Sequence, residues 1–191
     1  MRQFTLALLS VFALAGAAAA QQPQPLFDGK TLQGWKALTC EAEVVDGAIL
    51  IKAGNGILLA DKEYGDFILE CDWKALHKEM WDSGIYFRSG LPEGKSPWPK
   101  DYQVNLRKGQ EGAISGADKA KAASLYKKGE WNHFKLTVKG KTAALEFNGE
   151  KAWSRGGIEP VKGHLSLQAE VPGGGQFLFK NITIIDLDAK K

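Results

Sequence analysis

The sequence predicts an all-β sandwich of antiparallel strands, and three observations carry that expectation. After about residue 20, short runs that alternate apolar and polar residues recur between Gly, Asn, Asp and Pro. Asp46-Gly47 and Asn148-Gly149 are strong hairpin-turn dipeptides. Helix-period amphipathic segments are nearly absent.

The elements follow in order. Strands are expected over 43–45 and 48–51 around Asp46-Gly47, then over 56–60, 66–75, 83–88, 101–107, 131–139, 142–148, 163–170 and 176–186. In 131–139, Phe134, Leu136 and Val138 face one way and His133, Lys135 and Thr137 the other. About ten strands with turn signals this frequent read as an antiparallel sandwich or barrel, a single domain without internal repeat. Two long loops interrupt the pattern: 89–100, which sets Trp98 between Pro97 and Pro99, and 109–130, in which 118–124 is a candidate helical turn.

Ahead of these strands, Arg2 is followed by an apolar run and an Ala18-Ala19-Ala20 exit, the parts of a secretory signal peptide. Cleavage after Ala20 would release a secreted or periplasmic domain of residues 21–191; a retained anchor is the alternative, disfavoured by the shortness of the run. The 171 residues left suffice for one core. Their 24 Lys and Arg against 22 Asp and Glu leave a charge of +2, too weak for nucleic acid or an acidic membrane surface as the main partner. Export would place Cys40 and Cys71 in an oxidising compartment, where a disulfide is expected; two buried thiols are the alternative, since Cys71 shares a strand face with Phe67, Leu69 and Trp73. No Cys/His spacing resembles a zinc site, and phosphate, dinucleotide and nucleophilic-serine signatures are missing.

Three strands carry polar faces of a kind suited to sugars. Tyr86 and Arg88 alternate with Ile85 and Phe87; Asp101, Gln103 and Asn105 with Tyr102, Val104 and Leu106; Ser166, Gln168 and Glu170 with Leu165, Leu167 and Ala169. Amides, a guanidinium, a phenol and carboxylates offer the donors and acceptors that hydroxyls pair with, and Trp98 and Trp81 could stack on a sugar ring. The plain alternative is an ordinary solvated sheet face, but such faces usually carry Lys, Glu and Thr, as 131–139 does.

Several blocks together resemble a known family. Leu26-Phe27-Asp28-Gly29-Lys30-Thr31-Leu32-Gln33-Gly34-Trp35 is similar to the opening of the 3-keto-disaccharide hydrolase domain family, and Asp82-Ser83-Gly84-Ile85-Tyr86-Phe87-Arg88 to a later block. Val44 to Ile49, Glu63 to Phe67, Gly129 to Asn132, Phe147-Asn148-Gly149 and Phe179 to Ile182 extend the resemblance over residues 26–187. The resemblance implies a concanavalin/laminin-G-like jelly roll of two antiparallel sheets and a carbohydrate-active hydrolase or lyase that cleaves 3-keto-glycosides. It implies Asp101 or Glu111 as base or acid and Arg88 at the developing enolate. Tyr86, Trp98, Gln103, Asn105, Gln168 and Glu170 would hold the sugar. The family's Glu-x-Gln strand falls on Asp101-Tyr102-Gln103, and an acid that often follows falls on Leu106, so Glu111 and Glu170 are candidate replacements. No cofactor is implied, although Asp101 and Glu111 could share a divalent metal. A non-catalytic carbohydrate-binding module on the same fold is the other reading, and a structural surface domain without ligand a third.

Overall fold

The computed structural model describes residues 21–114, 119–159 and 161–189. The signal peptide assigned to 1–20 lies outside them. The chain forms eleven strands: β1 (Gln24–Pro25), β2 (Trp35–Val45), β3 (Ala48–Tyr64), β4 (Phe67–Ala75), β5 (Gly84–Ser89), β6 (Gln103–Asn105), β7 (Asn132–Lys139), β8 (Thr142–Phe147), β9 (Glu150–Gly156), β10 (Gly163–Val171) and β11 (Phe177–Asp186). One short helix, α1 (Lys119–Ser124), falls in the expected long loop; residue 118 is outside the described residues.

All-β architecture is as the alternation predicted. Hydrogen bonding joins the strands into a single, strongly curled antiparallel sheet in the order β6-β5-β10-β3-β11-β4-β7-β8-β9, with β2 on β3 and β1 on β11. The curl depends on the 17-residue β3. β2 follows one edge of β3 from Ala48 to Ala60, while the opposite edge serves β11 at Ile49–Ile51 and β10 from Gly54 to Tyr64. β3 thus hands the sheet from one half to the other at Gly54, which takes a φ of 91°. A Cβ there would lie 2.6 Å from Thr39 O, and one at Gly56 only 2.0 Å from Leu38 O, so β2 can cross this bend only over glycine.

Inside the curl lies the core. β4 and β7 alternate strictly, burying Phe67, Leu69, Cys71, Trp73 and Ala75 against Phe134, Leu136 and Val138. Trp73 sits among Phe134, Phe147, Phe177 and Tyr126 at ring separations of 5.4, 6.1, 6.2 and 5.5 Å. Burying side chains of this size contributes about 1.5–3 kcal/mol each, so the cluster dominates the stability of this half.

The expected Cys40–Cys71 disulfide is not present: both cysteines are free. In the sheet, β3 and β11 stand between β2 and β4, a path of three strand spacings or roughly 14 Å, whereas a bridge needs Cα atoms within about 7 Å. Cys71 is a core residue, as the alternative reading had it, and burial raises its thiol pKa far above the usual value.

The curl also brings the two ends of the sheet together. Tyr102 Oη, just before β6, donates to Gly157 O, just after β9, at 2.7 Å. Trp153 Nε1 on β9 donates to Gly112 O at 2.6 Å. A cleft lies along this seam.

Candidate functional site

β6, β5 and β10 are consecutive neighbours, which is the geometry the polar faces require. Tyr86 opposes Gln103 on one side and Ser166 on the other, and Gly84 opposes Asn105. Opposed residues share a face, so Tyr86, Gln103, Asn105, Ser166, Gln168 and Glu170 lie on one side of the sheet. The other side of the same strands carries the core residues Ile85, Phe87, Val104, Leu165, Leu167 and Ala169. Trp98 folds down onto the polar side: it packs with Leu38 on Ile57, Leu59 and Tyr86 and donates Nε1 to Ala169 O at 3.0 Å.

A relay of side-chain amides crosses the three strands. Gln103 Nε2 donates to Gln168 Oε1, and Gln168 Nε2 donates to Glu170 Oε2 at 2.9 Å. Glu170 Oε2 is the acceptor at the end of the relay, which orients both amides along it. Gly84 makes room for it: a Cβ there would stand 2.0 Å from Gln103 Nε2. Ser83 Oγ donates to Gln168 O at 2.7 Å and fixes the backbone beneath. Among the described residues the Tyr86 hydroxyl makes no hydrogen bond, and burial, with Glu170 and Asp82 nearby, raises its pKa so that it stays a protonated donor.

Beyond Glu170 the face ends in a pocket of about 370 Å³ shared with Trp81, Asp82 and Arg107. Arg107 Nε stands 3.5 Å from Asp82 Oδ2. Burial raises the pKa of Asp82, against the opposing pull of Arg107. Burial and the charge of Asp82 raise that of Glu170. Two carboxyl groups of raised pKa near a protonated phenol can serve as acid and base. On the other side, along the sheet seam, a cleft of about 680 Å³ takes in Asp101, Gln103 and Asn105 with Tyr102, Arg155 and Glu159. Asp101 is exposed and its Oδ2 accepts the Gly90 N–H at 2.9 Å.

Arg88 and Glu111 are not brought to either cavity. Arg88 has φ 45°, which breaks the alternation at the end of β5 and turns its side chain away from the amides. The guanidinium, 1% exposed, donates to Gly65 O at 2.7 Å, Gly140 O at 2.6 Å and Asp66 Oδ1 at 2.7 Å. It ties the β3–β4 turn to the β7–β8 turn. Glu111, 3% exposed, uses Oε1 to accept Trp81 Nε1 and Gly109 N, both at 2.9 Å. Asp101 lines the seam cleft, whereas Glu111 is buried against Trp81 and the Gly109 N–H. No group of three or more His, Cys, Asp or Glu able to hold a metal occurs among the described residues.

Asp82 and Arg107 were missed as site residues. Arg107 has the parity of Gln103 and Asn105, a signal that was available; Asp82 precedes its strand, where alternation does not reach.

A family profile described as a 3-keto-alpha-glucoside-1,2-lyase-like domain matches residues 22–185. No curated protein matches the chain. Two solved structures from Parabacteroides distasonis ATCC 8503, each provisionally named a glycosyl hydrolase, are similar at 23% identity. One has a TM-score of 0.72, covering 87% of this chain and 100% of that one. The other has a TM-score of 0.66, covering 87% and 94%. Carbohydrate-binding module CBM66 from Bacillus subtilis is similar at 16% identity and a TM-score of 0.61, over 80% of this chain and 95% of that one. At these identities the structures establish the fold.

Proposed function

Because the chain belongs to the 3-keto-alpha-glucoside-1,2-lyase-like domain family, we propose that it cleaves 3-keto-glycosides on the polar face of β5, β6 and β10. A ketone at C3 acidifies the C2 proton. Glu170 takes that proton, the electron pair forms the C1–C2 double bond of the eliminated sugar as the C1–oxygen bond breaks, and Asp82 protonates the departing oxygen. Tyr86 donates to the enolate oxygen as charge develops there. Water then adds at C1, C2 recovers a proton from Glu170, and Asp82 is reprotonated, so net hydrolysis balances without a cofactor. Gln103, Gln168 and Asn105 position hydroxyls, Trp98 gives an apolar wall, and Asp101 serves the outer part of the ligand. Arg88 and Glu111 are read as structural. The observation that supports the proposal is that Asp82 and Glu170 line one pocket at the end of an amide relay, near a phenol that makes no hydrogen bond among the described residues. The pKa of Asp82 is raised there by burial, and that of Glu170 by burial and by Asp82.

Incubating residues 21–191 with a 3-keto-glucoside should release aglycone. E170Q should reduce kcat by a hundredfold or more with little change in sugar affinity, in line with typical general acid–base contributions. Normal turnover by E170Q would overturn the assignment and move the base to Asp101, tested by D101N. The other reading, a non-catalytic carbohydrate-binding module, is favoured by Leu106: it is fully buried where the family resemblance implies an acid. Sugar binding by the wild type without turnover of any 3-keto-glycoside would establish that reading. We further read the curled sheet as a two-layered jelly roll, and the protein as exported after cleavage at Ala20.

A further inference from the structure

The seam cleft holds a cation that the proposed chemistry does not use. Arg155, on β9, lines it together with Asp101, Gln103 and Asn105. Its guanidinium carbon lies over the ring of Tyr102, 5.3 Å from the ring centre and within cation–π range. Tyr102 is in turn tethered through its hydroxyl to Gly157 O. Arg155 Nη1 is buried and has no hydrogen-bond acceptor, and no carboxylate stands within ion-pair distance of the side chain among the described residues. A buried guanidinium donor left unpaired costs well over a kilocalorie, so an acceptor is expected from outside the chain.

The remaining charges of the wall are engaged. Glu159 is held by Lys141 Nζ, at 3.2 and 3.3 Å from its two oxygens. Lys100 faces Glu93 at 3.6 Å. Asp101 accepts Gly90 N–H and, unlike Glu159, has no cation paired with it among the described residues, so it opposes an incoming anion most directly. A planar guanidinium with an unpaired N–H donor suits a carboxylate or sulfate. Gln103 belongs both to this cleft and to the amide relay that ends at Glu170, so a ligand in the cleft is continuous with the proposed reaction centre.

We infer that the seam cleft binds the anionic substituent, carboxylate or sulfate, of an acidic saccharide, with Arg155 as its recognition residue. The inference rests on the carbohydrate reading above but not on turnover. Calorimetric titration of the protein with cellobiose, cellobiouronic acid and a cellobiose sulfate tests it directly, the last two separating carboxylate from sulfate. At least one acidic sugar should bind ten times tighter than cellobiose, and the difference should shrink as salt is raised. R155Q should erase the preference, and R155K, which keeps the charge but loses the fork, should lose most of it. D101N should enlarge it. Equal affinities, binding of none of the three, or a preference that survives in R155Q would each overturn the inference. Acid-selective binding in a protein that turns over no 3-keto-glycoside would count against the cleavage proposal alone.

Discussion

Replacing Arg88 separates the structural role seen here from a role at the enolate. R88M keeps the length and apolar stem of the side chain and removes the guanidinium. Among the described residues, three backbone and carboxylate acceptors then lose their donor: Gly65 O, Gly140 O and Asp66 Oδ1. Hydrogen bonds to a charged group contribute about 1.5–3 kcal/mol each, but they share one cation and do not add. Breaking a buried ion pair from one side costs about 3–5 kcal/mol. Asp66 is 26% exposed and can recover some hydration, which favours the lower end of that range. With roughly 2–4 °C per kcal/mol expected for a domain of this size, the melting temperature should fall by about 6–15 °C. R88K should recover part of the loss, because one ammonium can serve one or two of the three acceptors. Urea denaturation with an unchanged slope and a lowered midpoint would check that the native state, not the unfolded one, is affected. An R88M protein that melts like the wild type would refute the reasoning. If it also lost turnover, the guanidinium would belong at the reaction centre after all.

The remaining predictions follow from the same contacts. Folding raises the pKa of Glu170 above its unfolded value, so the native state pays a cost above the folded pKa that vanishes below the unfolded one. E170Q should therefore melt higher than wild type at pH 7 and show no advantage near pH 3; a gain that is equal at both would exclude the electrostatic cause. Thiol titration should find two reactive groups in unfolded, unreduced protein, with Cys71 protected in the native state and half-buried Cys40 the faster to react. G84A should push Gln103 aside and sever its bond to Gln168, since a Cβ would stand 2.0, 2.4 and 2.6 Å from Nε2, Cδ and Cγ of that side chain. A structure of that variant with the relay intact would contradict the role given to Gly84.

What was legible in the sequence follows from the range over which each signal acts. A period of two is local, so it found the strands and put Gln103, Asn105, Tyr86, Gln168 and Glu170 on one face before any sheet order was known. The same rule put Arg88 with them and was overruled by one residue's backbone, a left-handed φ at the end of β5 that composition does not announce. The cysteine pairing failed for a different reason: it depends on which strands are neighbours, and β3 and β11 intervene. Asp82 and Arg107 lie just outside β5 and β6, and Arg155 meets Tyr102 only because the sheet curls until β9 reaches the β6 end. These are the groups with the most chemical freedom. A residue inside a strand has its direction set by the ladder and its exposure by the neighbouring strand, which makes it readable and also leaves it little space. Asp82 and Arg107 stand where the ladder stops, beside the pocket they line. Of the proposed acid–base pair, Glu170 lies inside β10 and was legible by parity, whereas Asp82 stands just outside β5, beyond the reach of that signal.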